Sequence, residues 1–128
     1  MERVGRGLAV ADFDNDGNLD VVISNQGQRA VLLKNQGTRR GNWVSIRAKG
    51  SKSNTFGLGA TVRLATAEGL QVREINNVAS YLSANDVRLH VGLGRATVVQ
   101  AIDILWPSGA RQTVKDVPVN QILVIEEP

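Results

Sequence analysis

Nine residues near the start of the chain constrain its fold and its function more than any other segment. The run Asp12-Phe-Asp-Asn-Asp-Gly-Asn-Leu-Asp20 carries carboxylates at its first, third, fifth and ninth positions and glycine at its sixth. Like charges this close repel one another, so we expect a bound cation to neutralise them. Ca2+ suits these oxygen ligands better than Mg2+, because it accepts about six to eight oxygens in a flexible shell whereas Mg2+ requires a tight octahedron.

The sequence predicts these metal ligands in the loop: Asp12, Asp14, Asp16, Asn18 and Asp20. The aspartates would supply side-chain oxygens and the asparagine its backbone carbonyl, while Gly17 would allow the turn around the ion. The loop is not an EF-hand, since Ile23 stands where that motif needs glutamate and the flanking residues favour strands. The alternative is a solvated Asp-Gly turn in a hairpin, which a single aspartate would favour.

The residues around this loop resemble one FG-GAP (VCBS-type) repeat. The resemblance rests on Gly7-Leu-Ala-Val-Ala before the loop, Val21-Val-Ile-Ser-Asn25 after it, and Val31-Leu-Leu-Lys-Asn-Gln-Gly37. In that family such repeats form the blades of a β-propeller, and the aspartate loop of each blade binds calcium. The resemblance therefore implies one propeller-blade-like repeat over roughly residues 6–37, with Ca2+ as its cofactor.

Short alternating apolar segments separated by turn residues follow along the whole chain, and no segment keeps a helical period. They predict strands at 8–12, 20–24, 30–34, 43–48, 61–65, 71–76, 89–93, 98–106, 111–115 and 122–125. The segment 35–41, with two glycines and no apolar residue, is the predicted boundary. We therefore predict an all-β chain with a blade-like domain at 1–37 and a small β-sandwich or barrel at 38–128.

The second domain also carries motifs of a known family. They are Asn42-Trp-Val44, Lys49-Gly50, Ser53-Asn54, Gly59-Ala-Thr-Val62, Gly92-Leu-Gly94 and Val99 through Trp106-Pro-Ser-Gly109. Together they resemble the ASPIC/UnbV domain, which typically follows FG-GAP repeats in proteins similar to the cartilage acidic protein family. This resemblance implies an exported protein, a propeller joined to a small all-β domain, and no established catalytic activity.

Composition narrows the possible partners and compartments. The chain has no cysteine, which excludes disulfides and thiolate metal sites. Residues 38–128 hold eleven Lys/Arg against seven Asp/Glu, but the local clusters Arg39-Arg40 and Lys49–Lys52 lack interleaved aromatics, so we do not expect nucleic acid binding. No apolar run is long enough for a membrane span, and this piece shows no signal peptide. Because millimolar calcium exists outside the cytoplasm, the loop favours an extracellular or periplasmic location.

A single repeat is visible, and one blade cannot close a propeller. We therefore expect this chain to be the C-terminal piece of a longer protein whose preceding propeller blades are its partners. Residues 1–7 are expected to be an irregular start within the last blade.

Few residues suit catalysis. His90 lies between apolar residues, and no Gly-x-Ser-x-Gly motif accompanies it, so we expect a structural role rather than a triad with Asp86 or Asp103. The glycine pairs at 57–59 and 92–94 do not open helices, which favours bulges or close backbone packing over phosphate binding. Trp43, Trp106 and Tyr81 could stack on sugars, but strand periodicity favours packing for Trp106.

These observations predict a non-enzymatic, exported, calcium-binding module for cell adhesion or recognition, with an unknown protein or glycan as its ligand. No catalytic residue is predicted. The alternative from another class is a polysaccharide-active hydrolase or lyase, which would need carboxylates such as Glu68 or Glu74 gathered around one cleft. A further alternative is a structural cap that closes the propeller, marked by a large exposed apolar patch.

Overall fold

The computed structural model describes residues 4–37 and 41–128, and it is all-β there, as predicted. Residues 1–3 of the expected irregular start, and residues 38–40 of the predicted boundary with Arg39-Arg40, lie outside the described residues. The expectation of an irregular start is wrong for residues 5–7, which already form a strand because Gly5 and Gly7 pair with Asn25 and Ser24. The strands are β1 Gly5–Ala11, β2 Asp20–Asn25, β3 Gln28–Leu33, β4 Asn42–Lys49, β5 Thr61–Thr66, β6 Gly69–Glu74, β7 Leu89–Gly94, β8 Val98–Leu105, β9 Arg111–Pro118 and β10 Gln121–Glu126. Within these described ranges, no helix has the length and apolarity that crossing a membrane requires.

The chain divides into two compact units, and the first is made of two separate segments. It comprises Met1–Arg40 and Asn77–Asp86, whereas Gly41–Asn76 and Val87–Pro128 form the second unit. The sheet of the first unit is antiparallel and has the strand order β1-β2-β3. Residues 77–86 thus leave the connection between β6 and β7 and join a sheet that is distant in sequence.

This segment supplies hydrogen bonds to the edge of β1. The backbone N–H of Leu8 donates to Ser80 Oγ at 2.9 Å, and that of Val10 donates to Asn85 Oδ1 at 2.9 Å. The N–H of Asp86 in turn donates to the carbonyl of Val10 at 3.1 Å. Side chains here satisfy edge groups that a further strand would otherwise pair, which protects an exposed sheet edge. We name residues 77–86 the edge segment.

The second unit contains two sheets whose facing side chains form its core. One sheet has the order β10-β4-β7 and the other β6-β5-β8-β9, and neither closes into a barrel, so the domain is sandwich-like. The pairing of β10 with β4 is parallel, while the other strand pairs of both sheets are antiparallel. The core includes Val44, Ile46, Val62, Leu64, Val91, Ile102, Ile104 and Trp106. Alternation along each strand produces this inward face, and full burial of one such aliphatic side chain contributes roughly 1.5–3 kcal/mol.

Trp106 packs in this core, as its strand position predicted. Its side chain is 1% exposed, and its indole N–H donates to Gln112 Oε1 at 3.2 Å. The following turn closes with an N–H from Gly109 to the carbonyl of Trp106 at 2.9 Å. Gly57 has a φ of 62°, and a Cβ there would lie 2.7 Å from the Cβ of Ala48 and 3.1 Å from the indole ring. The predicted close backbone packing at this glycine is therefore confirmed.

The buried carboxylate of Glu127, which directly follows β10, contacts the loop after β4. Glu127 is 5% exposed and accepts backbone N–H bonds from Ser51, Lys52 and Ser53 at 2.7–2.8 Å. The hydroxyls of Ser53 and Ser108 also donate to it. Burial raises the pKa of Glu127, but the hydrogen bonds outweigh burial and bring the pKa down to about 2. Successive N–H groups around one anion form a nest that favours its charged form.

Candidate metal centre

The aspartate loop joins the first two strands of the first unit. Ala11 at the end of β1 pairs with Asp20 at the start of β2, so the intervening residues form the hairpin connection. Asn15 and Gly17 both adopt left-handed backbone conformations, with φ of 60° and 88°. Asparagine and glycine tolerate this region best, and these two residues turn the chain back on itself.

Asp12 and Asp20 lie at the base of the loop, and each is only 3% exposed. The N–H groups of Asp16 and Gly17 donate to the two oxygens of Asp12 at 3.0 and 2.9 Å. The N–H of Phe13 donates to one oxygen of Asp20 at 3.1 Å, and that of Asn35 donates to the other at 2.8 Å. These bonds fix the orientation of both carboxylates.

Three of the five predicted ligands come together. One carboxylate oxygen from each of Asp12, Asp14 and Asp20 lies within 4.8 Å of the other two. Asp16 instead accepts hydrogen bonds from Asn18, at 2.8 Å from its N–H and 3.0 Å from its side-chain amide. Metal binding by Asp16 and Asn18 stays a prediction, as does binding by the other three.

Lys34 is a member of this centre that sequence reasoning missed. Its ammonium donates to Asp14 Oδ2, and this hydrogen bond with the attraction of the same carboxylate raises the pKa of Lys34. Asp16 and Asp20 raise it further through their charges. The lysine follows β3, 14 residues beyond Asp20, so loop spacing alone contains no signal for it. The sequence signal for Lys34 was limited to its being the one basic residue in segment 31–37, which resembles an FG-GAP repeat.

The donor set fits a hard cation. The converging groups are all carboxylates, two of them almost fully buried, and burying like charges together is costly without a counter-charge. A carboxylate has about four lone-pair sites, so the two N–H donors on Asp20 leave acceptor capacity for a metal. Oxygen-only donors suit Ca2+ and Mg2+ rather than softer metals.

The other residues considered for chemistry lie elsewhere. His90, in β7, stacks on Trp43 with ring centroids 5.4 Å apart and planes at 17°. The carboxylate of Asp103 accepts the hydroxyl of Thr113 at 2.6 Å. Tyr81, in the edge segment, is 69% exposed, whereas Trp106 is buried, so these two aromatics do not share one exposed platform.

Comparison with known proteins supports both resemblances. The ASPIC and UnbV family matches residues 50–128, and the FG-GAP repeat family matches residues 4–38. Cartilage acidic protein 1 of Xenopus tropicalis is 31% identical over 130 residues, which are 97% of this chain and 20% of the relative. Cartilage acidic protein 1 of Mus musculus is 32% identical over 137 residues, which cover 100% of this chain and 21% of the relative. Cartilage acidic protein 1 of Homo sapiens is 31% identical over 137 residues, which cover 100% of this chain and 20% of the relative. The chain thus spans about a fifth of the length of these curated relatives.

Proposed function

This chain belongs to the ASPIC and UnbV family and carries an FG-GAP repeat before that domain, and we propose that it is an exported, calcium-binding module for adhesion or recognition. Its two proposed modules are residues 1–37 completed by the edge segment, and residues 38–128 without that segment. The observation that carries the proposal is the convergence of the Asp12, Asp14 and Asp20 carboxylates between two strands. An extracellular or periplasmic location would supply the millimolar calcium that such modules use.

Calcium would act on structure rather than on bond making. Asp12 and Asp14 belong to the loop, Asp20 begins β2, and Asp20 also accepts the N–H of Asn35 beyond β3. An ion bound by these carboxylates would therefore stabilise the loop where it leaves β1 and where it enters β2. Through Asp20 it would also stabilise the backbone that follows β3. Because the ion binds the folded state, it would stabilise the first unit by mass action.

The proposed partners include preceding propeller blades of the same protein. Both faces of the sheet β1-β2-β3 present exposed apolar side chains, with Val22 and Leu32 on one face and Leu8 and Leu33 on the other. A sheet with two apolar faces suits a position between neighbours, and FG-GAP repeats occur within larger propeller proteins. The external ligand of the assembled protein would be a protein or a glycan.

Calorimetric titration of Ca2+ into chelator-stripped protein tests the metal proposal, with Mg2+ titrated in parallel. We expect one saturable calcium site with much weaker magnesium binding. Asp14→Asn should abolish or strongly weaken it, because an exposed ligand charge is removed without loss of a core side chain. Asp116→Asn, an exposed aspartate in β9, serves as the matched control and should bind calcium like the parent.

Two results would refute the metal proposal. One is the absence of saturable calcium binding by the parent chain in a folded state verified by circular dichroism. The other is equal calcium affinity in the parent and in Asp14→Asn.

The enzyme alternative receives less support. A glycosidase of the usual kind needs two carboxylates flanking one scissile bond. Glu68 accepts the N–H of Arg95 at 3.0 Å, and Asp103 accepts the Thr113 hydroxyl. The groove beside Asp103 has no second carboxylate in its lining among the described residues. We therefore propose binding without catalysis.

A further inference from the structure

The outer face of the sheet β6-β5-β8-β9 places cations in a regular arrangement. Strand register aligns Val72, Arg63, Asp103 and Thr113 in one row across the sheet. The neighbouring row on one side consists of Glu74, Thr61, Leu105 and, at its end, Arg111. The neighbouring row on the other side consists of Leu70, Ala65, Ala101 and, at its end, Lys115.

A groove of about 500 Å³ crosses this face. Its lining includes Thr61, Arg63, Asp103, Leu105, Arg111 and Thr113. The arginines stand on β5 and β9, two strands apart, which is a lateral separation of roughly 10 Å. A ligand lying along the groove can therefore contact both guanidinium groups.

The two arginines are available to an external anion. Arg63 is the cross-strand neighbour of Asp103, but that carboxylate accepts the hydroxyl of Thr113 on its other side. Within residues 4–37 and 41–128, the side chain of neither Arg63 nor Arg111 forms a hydrogen bond or an ion pair. Both are exposed, and Lys115 on the same face adds a third exposed cation.

We propose that this groove binds a sulfated polysaccharide. Guanidinium groups present a planar fork of donors that suits sulfate and carboxylate groups, and they are less strongly hydrated than ammonium groups. Thr61 offers a hydroxyl to sugar hydroxyls, Thr113 can still accept a hydrogen bond while it donates to Asp103, and Leu105 offers an apolar contact to a sugar ring. Among the described residues, none of those lining the groove is an aromatic on which bases could stack, which disfavours single-stranded nucleic acid.

This inference deepens the recognition role proposed above by naming the ligand class and the surface. It depends on residues of the second unit only, so calcium binding and polysaccharide binding can be measured separately. The calcium proposal can fail while the groove binds, and the converse also holds.

The test uses the full chain, a heparin oligosaccharide of defined length and the same oligosaccharide after chemical desulfation. Saturable binding of the sulfated form is expected, with at least tenfold weaker binding after desulfation. Arg63→Gln/Arg111→Gln should raise the Kd for the sulfated oligosaccharide about tenfold or more. The matched control, Arg29→Gln/Arg47→Gln, removes the same charge from exposed strand positions outside the groove and should change the Kd less than about twofold.

Several results would overturn this proposal. Equal weakening in both double variants would mean attraction to net charge without a site. Equal binding of the desulfated oligosaccharide, or no binding by a parent chain that melts cooperatively, would also refute it. Tighter binding of polyglutamate than of heparin would assign the groove to an acidic protein segment instead. Melting curves of both double variants should match the parent curve, since all four arginines are exposed.

Discussion

At the scale of single residues, Lys34 is the residue that we expect to control how readily the aspartate loop would accept a cation. Its ammonium donates to Asp14, one of the three converging carboxylates, so a metal bound by Asp14 has to share or displace that contact. The sequence contained the carboxylates in a recognisable spacing, but nothing in it placed a lysine from beyond β3 among them. That contact depends on the pairing of β3 with β2.

Replacing this lysine should therefore strengthen calcium binding. Lys34→Met is expected to lower the Kd for Ca2+ by about two- to fivefold, the range of an exposed ion pair. Calorimetric titration measures the change, and Lys115→Met provides an exposed control that should leave the Kd unaltered. An unchanged or higher Kd in Lys34→Met would show that the ammonium does not compete with the metal.

Glu127 makes the second unit sensitive to acid. Its pKa in the folded state, about 2, is below its ordinary value of 4.5. A group with a lowered folded pKa contributes stability above the unfolded value and loses that contribution as the pH falls through the folded value. The stabilisation from Glu127 is therefore complete at neutral pH and declines from about pH 4.5 towards pH 2.

Glu127→Gln should lower the melting temperature at pH 7 by at least several degrees. It should also make the melting temperature less dependent on pH between pH 4.5 and 2. The amide keeps one oxygen for the N–H donors of residues 51–53, but it lacks the negative charge that strengthens these bonds, and its NH2 would face the two hydroxyls that now donate to the carboxylate. Glu126→Gln is the matched control. The exposed carboxylate of Glu126 pairs with Lys49, and this exposed ion pair lowers the pKa of Glu126. Identical melting curves for the two variants over this pH range would contradict the assignment.

At the scale of elements, the edge segment is the least expected feature. Ser80 and Asn85 accept the N–H groups of Leu8 and Val10 and so take the place of a strand beside β1. We expect Ser80→Ala to accelerate hydrogen exchange at the Leu8 amide about fivefold, since a hydrogen bond contributes roughly 1 kcal/mol. The control is Ser83→Ala, because that hydroxyl donates to the Tyr81 carbonyl instead of binding β1. Equal exchange at Leu8 in both variants would refute this role.

All ten strands were predictable from sequence, because alternating apolar residues such as Val62 and Leu64 mark one buried face whatever the partner. Alternation does not identify the neighbouring strand, so the parallel pairing of β10 with β4 was not predictable. The edge segment contains turn residues and little periodicity, and its destination beside β1 depends on side-chain acceptors that no strand pattern requires. The nest around Glu127 likewise depends on backbone N–H groups, which carry no residue signature.

At the scale of the whole molecule, the two units should respond separately to core damage. Ile46 is fully buried in the second unit, and Ile46→Ala should reduce the free energy of unfolding by about 2–5 kcal/mol. Tryptophan fluorescence during urea unfolding measures this, because Trp43 and Trp106 both belong to the second unit. At low urea, the calcium Kd should stay within about twofold of the parent value. A calcium Kd that rises in step with the lost stability would show that the metal loop depends on the second core.

The parallel pairing of β10 with β4 has a consequence for how the domain is made. β4 is the first strand of the second unit and β10 the last, so their ladder joins residues 44–49 to residues 121–126. A ribosome therefore releases β4 long before β10 exists, and the side of β4 that pairs with β10 stays open until residues 121–126 have been made. Such distant pairing slows folding and leaves a template for association between nascent chains. Loss of residues 121–128 would remove both β10 and Glu127, so this one segment completes the sheet and fills the nest.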